Sequence, residues 1–97
     1  MKIFFTKRAN KNFHSIKERI FVKYGERVAE AFELKLDNFL DILENFPEIG
    51  SVEVIEKQIH GFQLTKQTRV FYRIKGEIIV ILTFFDARQD PKKKPGS

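Results

Sequence analysis

Apolar residues recur at helical spacing over the first half of the chain and at strand spacing over the second. The change comes at Phe46-Pro47-Glu48-Ile49-Gly50-Ser51, which reads as a connection. Ahead of the helical region, Lys2 to Phe5 reads as a short strand. Thr6 follows as an N-cap whose hydroxyl accepts from a free N–H of the first turn, although Ala9 stands where a capping box places Glu or Gln. Ala9, Phe13, Ile16, Ile20 and Tyr24 form one apolar stripe of a helix that Gly25 ends, by taking a left-handed conformation that β-carbons disfavour. A second helix spans Glu26 to Asn45. Val28, Phe32, Leu36, Phe39, Leu40 and Leu43 form its buried stripe, and Glu30, Glu33, Asp37, Asp41 and Glu44 an opposing acidic one that reads as a solvated face.

Beyond the connection, Glu53 to Thr65 holds a strand whose start the pattern does not place, with Gly61 marking a bulge or bend in it. Lys66-Gln67 turns into a strand over Thr68 to Ile74, and Lys75-Gly76-Glu77 turns again into Ile78 to Phe85. The expected fold is α+β: an N-terminal strand, a two-helix antiparallel hairpin, then a three-stranded antiparallel meander packed on the helices.

With 97 residues, 42% of them hydrophobic and eleven of them phenylalanine, the chain has material for one domain with a single core. Residues 1–91 are expected to form that domain, and Lys92 to Ser97, which lack an apolar anchor, a flexible basic tail. The net charge of +5 conceals a polarity: +6 over residues 1–25, −7 over 26–56 and +6 over 57–97. A basic patch of this kind favours nucleic acid or an acidic protein partner. The absence of cysteine rules out a disulfide or a thiolate metal site. Two distant histidines do not make a zinc site, and the five glycines are too scattered for a phosphate loop, so no metal or cofactor is expected. The apolar run Ile78 to Phe85 is far shorter than the ~20 residues a membrane helix requires, and the apolar stretch within Met1 to Lys7 is too brief for a signal peptide. The expected setting is cytoplasmic, away from the membrane.

On the strand that begins at Thr68, Arg69 and Arg73 alternate with Phe71, while Val70, Tyr72 and Ile74 take the other face. A guanidinium is planar and matches phosphate or carboxylate with two parallel hydrogen bonds. The run Arg69-Val70-Phe71-Tyr72-Arg73-Ile74, the following Ile78 to Leu82 and the closing Arg88 resemble the RelE/ParE superfamily, the toxins of bacterial type II toxin–antitoxin systems. The resemblance extends over nearly the whole chain, because the order of elements also fits. It implies a toxin that inhibits growth when free of its antitoxin, with a role in plasmid stabilisation and with the open face of the sheet as the working surface. The implied partners are a cognate antitoxin protein and, as target, either DNA gyrase or the ribosome with mRNA.

If the chain is an enzyme, the resemblance implies a metal-independent mRNA endoribonuclease, with Arg69, Arg88 and His60 as catalytic candidates. Arg69, Phe71, Arg73, Asp86 and Arg88 are the candidate contacts to the target or antitoxin. Phe71, Phe84 and Phe85, near the arginines, could also stack bases. The bland alternatives are Arg69 and Arg88 as partners of acidic neighbours, Arg73 as a rim residue, Asp86 as the group that holds Arg88, Phe84 or Phe85 as core, and His60 as an exposed strand-end histidine. His14, on the polar side of the first helix, reads as inert.

The chain departs from the ribonuclease pattern in two places. Residues 89–97 lack the Tyr or His that those members carry after the last strand, and His60 and Phe62 stand where a basic pair is expected. Arg88-Gln89-Asp90-Pro91 instead resembles the closing segment of ParE-type members, which poison gyrase as binding proteins. Gyrase poisoning is therefore the expected activity, with ribosome-dependent mRNA cleavage and a non-toxic antitoxin-binding relative as the alternatives. Because both helical stripes are expected to be buried, no apolar helix face is left over, and a monomer within a toxin–antitoxin complex is expected.

Overall fold

The computed structural model describes residues 1–88, so the expected tail lies outside the described residues. The elements in order are β1 (Lys2–Phe5), α1 (Lys7–Tyr24), α2 (Glu26–Asn45), β2 (Ser51–Val54), a 3-10 turn (Ile55–Lys57), β3 (Ile59–Gln63), β4 (Thr68–Lys75) and β5 (Ile78–Asp86). The strands form one sheet in the order β1-β5-β4-β3-β2. β1 pairs parallel with β5, and the remaining neighbours are antiparallel. The α+β arrangement is as expected, with one addition. The stretch whose start the pattern left open is two strands, β2 and β3, separated by the 3-10 turn and by Gln58 at φ 53. The bulge in this hairpin lies between Val52 and Val54, and Gly61 sits within β3 rather than at a bend.

Thr6 caps α1 as read: its hydroxyl accepts from Ala9 N at 2.9 Å, donates to Leu82 O at 2.9 Å, and so ties the helix start to β5. Asn12 continues that seam where β1 has ended. Its carboxamide oxygen accepts from Thr83 Oγ1 at 2.7 Å and from Phe84 N at 3.3 Å, satisfying an edge that β1 no longer covers. Gly25 alone separates the helices, at φ 94 and ψ 176. The φ is positive as the sequence suggests, but the ψ is extended rather than left-handed helical, which turns the chain sharply enough for α2 to start at once.

Both helices pack on one face of the sheet. Ala9, Phe13, Ile16 and Ile20 from α1 and Ala29, Phe32, Leu36, Phe39 and Leu43 from α2 meet Val70, Tyr72, Ile79, Ile81 and Phe84. The phenylalanines organise this layer: Phe13 stacks on Phe32 with ring centroids 5.3 Å apart, and Phe39 on Phe62 at 4.5 Å. Each such side chain removed from water contributes about 2–3 kcal/mol. Lys17 bridges the helices through Glu33 at 2.9 Å, so one member of the acidic stripe has an internal partner.

Tyr24 and Val28, placed in the stripes by their spacing, are exposed. No residue between Ile20 and Ala29 is buried, because the tip of the hairpin carries its stripe beyond the core. Phe21, Val22 and Leu34 are also exposed, so the expectation that no apolar helix surface is left over does not hold.

The Tyr72 hydroxyl holds the connection between α2 and β2. It donates to Pro47 O at 2.7 Å and accepts from Gly50 N at 2.9 Å. Tyr72→Phe should leave both groups without that partner and cost about 1–2 kcal/mol, read as a lower urea midpoint with an unchanged slope.

Candidate functional site

Five of the six candidate residues cluster on or beside β4 and β5, but on two sides of the sheet. Thr68, Val70 and Tyr72 of β4 point into the core, which puts Arg69, Phe71 and Arg73 on the face that no helix covers. β3 contributes Ile59, Gly61 and Gln63 to that open face, each directly opposite one of those three residues.

Asp86 and Arg88 take the other side because of one irregularity. The β4–β5 register slips at Leu82: Phe71 pairs with Thr83 while Tyr72 pairs with Ile81. The extra residue inverts the alternation, so Ile79 and Ile81 are buried before it and Phe84 and Asp86 after it. Phe84 becomes core, as the number of phenylalanines suggests, and Phe85 joins Arg69 on the open face.

Asp86 is 2% exposed, yet its carboxylate is fully engaged. It accepts from Arg88 Nε at 3.0 Å, Arg88 Nη2 at 2.6 Å, Arg88 N at 2.8 Å and Thr68 Oγ1 at 3.1 Å. Burial pushes the carboxyl up. The hydrogen bonds from the Arg88 side chain and backbone, the guanidinium charge and the Thr68 hydroxyl outweigh that and hold it below the usual range. Arg88 is pushed up in turn, first by its hydrogen bond to Asp86. The guanidinium lines a cavity of about 50 Å³ with Ile16, Arg19, Ile20, Lys23 and Tyr24 of α1. Arg88 is thus folded back against the helices and does not stand beside Arg69. The structural reading of Asp86, as the group that holds this arginine, describes its contacts. Gln89, Asp90 and Pro91 lie outside the described residues.

His60 is not the exposed strand-end histidine that its bland reading supposed. It is 2% exposed, lies opposite Tyr72 on the helix-covered face and stacks on the Tyr72 ring with centroids 5.4 Å apart. Its Nδ1 lies 3.3 Å from Gln58 O. An acid or base on that side of the sheet cannot reach a group bound at Arg69.

The carboxylate that does share a face with Arg69 is Glu53, which the sequence reading did not single out. Arg69 Nη2 donates to Glu53 Oε1 and to Ser51 Oγ at 3.0 Å, both from β2, and Nη1 donates to Gln63 Oε1 at 3.3 Å. The guanidinium also lies 5.7 Å from the centre of the Phe71 ring. Arg73 is exposed and, among the described residues, forms no ion pair. A carboxylate, an engaged guanidinium, a second unengaged arginine and an aromatic ring thus share one open surface. Chemically, such a set can hold an anion or an acidic partner, and Glu53 can accept a proton from a group placed against it. Glu53 was invisible because it belongs to the segment whose strand start the pattern left open. Among the described residues, no group of three or more His, Asp or Glu is placed to hold a metal.

Residues 3–91 match the family model described as "ParE toxin of type II toxin-antitoxin system, parDE". Among solved structures, a chain titled "Chromosomal ParDE TA system from P. aeruginosa" superposes with a TM-score of 0.73 at 20% identity, over 91% of this chain and 97% of that one. A "YoeB/ParE toxin from Agrobacterium tumefaciens" superposes with a TM-score of 0.59 at 14% identity, over 89% and 98%. No curated protein matches in sequence at a significant level.

The two arginines should respond differently to removal. Arg88→Ala leaves a buried carboxylate without its cation and should cost about 2–3 kcal/mol, whereas Arg69→Ala, on a partly exposed pair, should cost at most about 1 kcal/mol. An Arg88→Ala melting temperature equal to that of the wild type would remove Arg88 from this structural role. Because the folded Asp86 value is depressed, its contribution is complete above the unfolded value of about 3.9 and is lost as pH falls through the lower folded value. Asp86→Asn should therefore be less stable than the wild type at neutral pH, and the difference should narrow in urea melts taken below about pH 4.

Proposed function

The chain belongs to the ParE toxin family, and from that premise we propose that it inhibits growth when free of its antitoxin by binding DNA gyrase in the cytoplasm. Residues 1–91 are the toxin domain in this reading. The observation that carries it is the orientation of His60: it is buried beneath the sheet, while Arg69, Phe71 and Arg73 lie on the open face. That face offers aromatic rings and arginines without the histidine a ribonuclease site would have drawn on. This composition suits protein contact, where Arg and aromatic side chains supply most of the binding energy. No helix among the described residues is long and apolar enough to cross a membrane.

The partner that silences the toxin is a small antitoxin protein. The likeness to a ParDE system supports this, as does the basic first and last third of the chain, which an acidic segment would complement. Such a segment would cover Arg69, Phe71 and Arg73 by lying across the open face or extending the sheet at an edge.

One observation favours a second reading, ribosome-dependent mRNA cleavage. Glu53 stands against Arg69 and would supply the proton acceptor for a 2′-hydroxyl, with the guanidinium at the phosphate. In that case Glu53, not His60, is the base.

Incubation of the purified protein with gyrase, supercoiled plasmid and ATP should yield linear DNA after detergent and protease. Arg69→Ala should reduce that yield by about tenfold or more, equivalent to about 1.4 kcal/mol of binding. Failure to linearise, by protein that arrests growth when expressed alone, would transfer the assignment to mRNA cleavage. Normal growth with soluble, folded protein would instead identify a non-toxic antitoxin-binding relative.

A further inference from the structure

A guanidinium offers two parallel donor pairs, Nε with Nη2 and Nη1 with Nη2, and phosphate recognition by arginine commonly uses one of them. In Arg69 both pairs are blocked, because the Nη2 hydrogens are committed to Ser51 Oγ and to Glu53 Oε1. Nη1 is also engaged, at Gln63 Oε1. The charge is neutralised by Glu53, and the ring of Phe71 lies alongside. An anion arriving from solvent would therefore have to displace Ser51 Oγ or Glu53 Oε1 before it could take either pair.

The backbone is built around this contact. Arg69 starts from β4 and reaches across β3 to β2, passing over Gly61. A β-carbon at Gly61 would stand 2.5 Å from Glu53 Oε1 and 2.8 Å from Arg69 Nη2, so any other residue would push the pair apart. Glu53 is also the extra residue in the β2–β3 ladder, where Val52 pairs with His60 and Val54 with Ile59. The bulge and the missing side chain in β3 make room for the carboxylate, and Ser51 and Gln63 hold the guanidinium against it.

We propose that Glu53 is a specificity-determining residue: by occupying Arg69 from within, it withholds that guanidinium from RNA phosphate and leaves a neutralised pair beside the Phe71 ring for a protein partner, with Arg73 as the open cation of the face. This rests on the protein-contact reading of that face given above. It differs from the ribonuclease alternative in sign, since there Glu53 assists at a bound phosphate and here it keeps phosphate out.

The test is fluorescence anisotropy of a short labelled oligouridylate at low salt, with wild-type protein, Glu53→Ala, Glu53→Gln and the double variant Glu53→Ala/Arg69→Ala. Glu53→Ala should bind the RNA about fivefold or more tightly than the wild type, the amide should fall between them, and the gain should vanish in the double variant. The salt dependence of Glu53→Ala should steepen by about one phosphate contact. Equal binding by wild type and Glu53→Ala would overturn the proposal, as would a gain that survives loss of Arg69, which would reflect net charge alone. Should Glu53→Ala melt early, the near-isosteric Glu53→Gln carries the same comparison. The gyrase assay stands apart from this outcome: an Arg69-dependent gain in RNA binding by a protein that does not poison gyrase would sustain the role of Glu53 and sink the gyrase assignment.

Discussion

Two amphipathic helices of 18 and 20 residues have one place to put their apolar stripes, and that is a single face of the five-stranded sheet. Everything functional follows from the division this imposes. A side chain on the covered face is core whatever its chemistry, which is why His60 and Tyr72 pack ring on ring there and why Thr68 and Asp86 must satisfy one another. A side chain on the other face is free to engage a partner. The surroundings of each candidate residue are therefore set by the side of the sheet on which it emerges, not by its nearness to another in sequence.

One residue of slippage at Leu82 decides the side for the end of β5. Continued without interruption, the alternation that buries Ile79 and Ile81 would have buried Thr83 and Phe85 and turned Asp86 toward Arg69. The bulge reverses this. Asp86 goes under the sheet and takes Arg88 with it against α1, and the two arginines that look equivalent in the sequence become a structural ion pair and a surface group. The same slip sits where β1 has ended, and Thr6 and Asn12 supply the hydrogen bonds that β1 cannot. An irregular edge is thereby sealed by the start of a helix.

On the open face, the important feature is an arginine already answered from within. Salt bridges between partly exposed groups are worth little to stability, so the Glu53–Arg69 contact, framed by Gly61 and the β2 bulge, adds little to folding. Arg73, further along the same strand, keeps an unengaged guanidinium among the described residues. One face therefore carries both an occupied cation and an open one, a distinction that net charge does not reveal.

The sequence by itself determined the local elements. The stripe on α1 as far as Ile20 and that on α2 from Phe32, the Thr6 cap, the break at Gly25, the Lys75-Gly76-Glu77 turn and the alternation of β4 all follow from spacing and from the conformational limits of single residues, and all are present. The run Arg69 to Ile74, the apolar run Ile78 to Leu82, Arg88 and the order of elements together also pointed to the family that the match over residues 3–91 establishes. What it did not determine is what depends on partners far along the chain. The parallel seat of β1 beside β5, the slip at Leu82, the split of the 51–63 segment and the meeting of Glu53 with Arg69 each need a neighbour that no local window contains. Because strand periodicity has a step of only two residues, one inserted residue moves every later side chain to the opposite face, and only the assembled sheet decides where that residue goes.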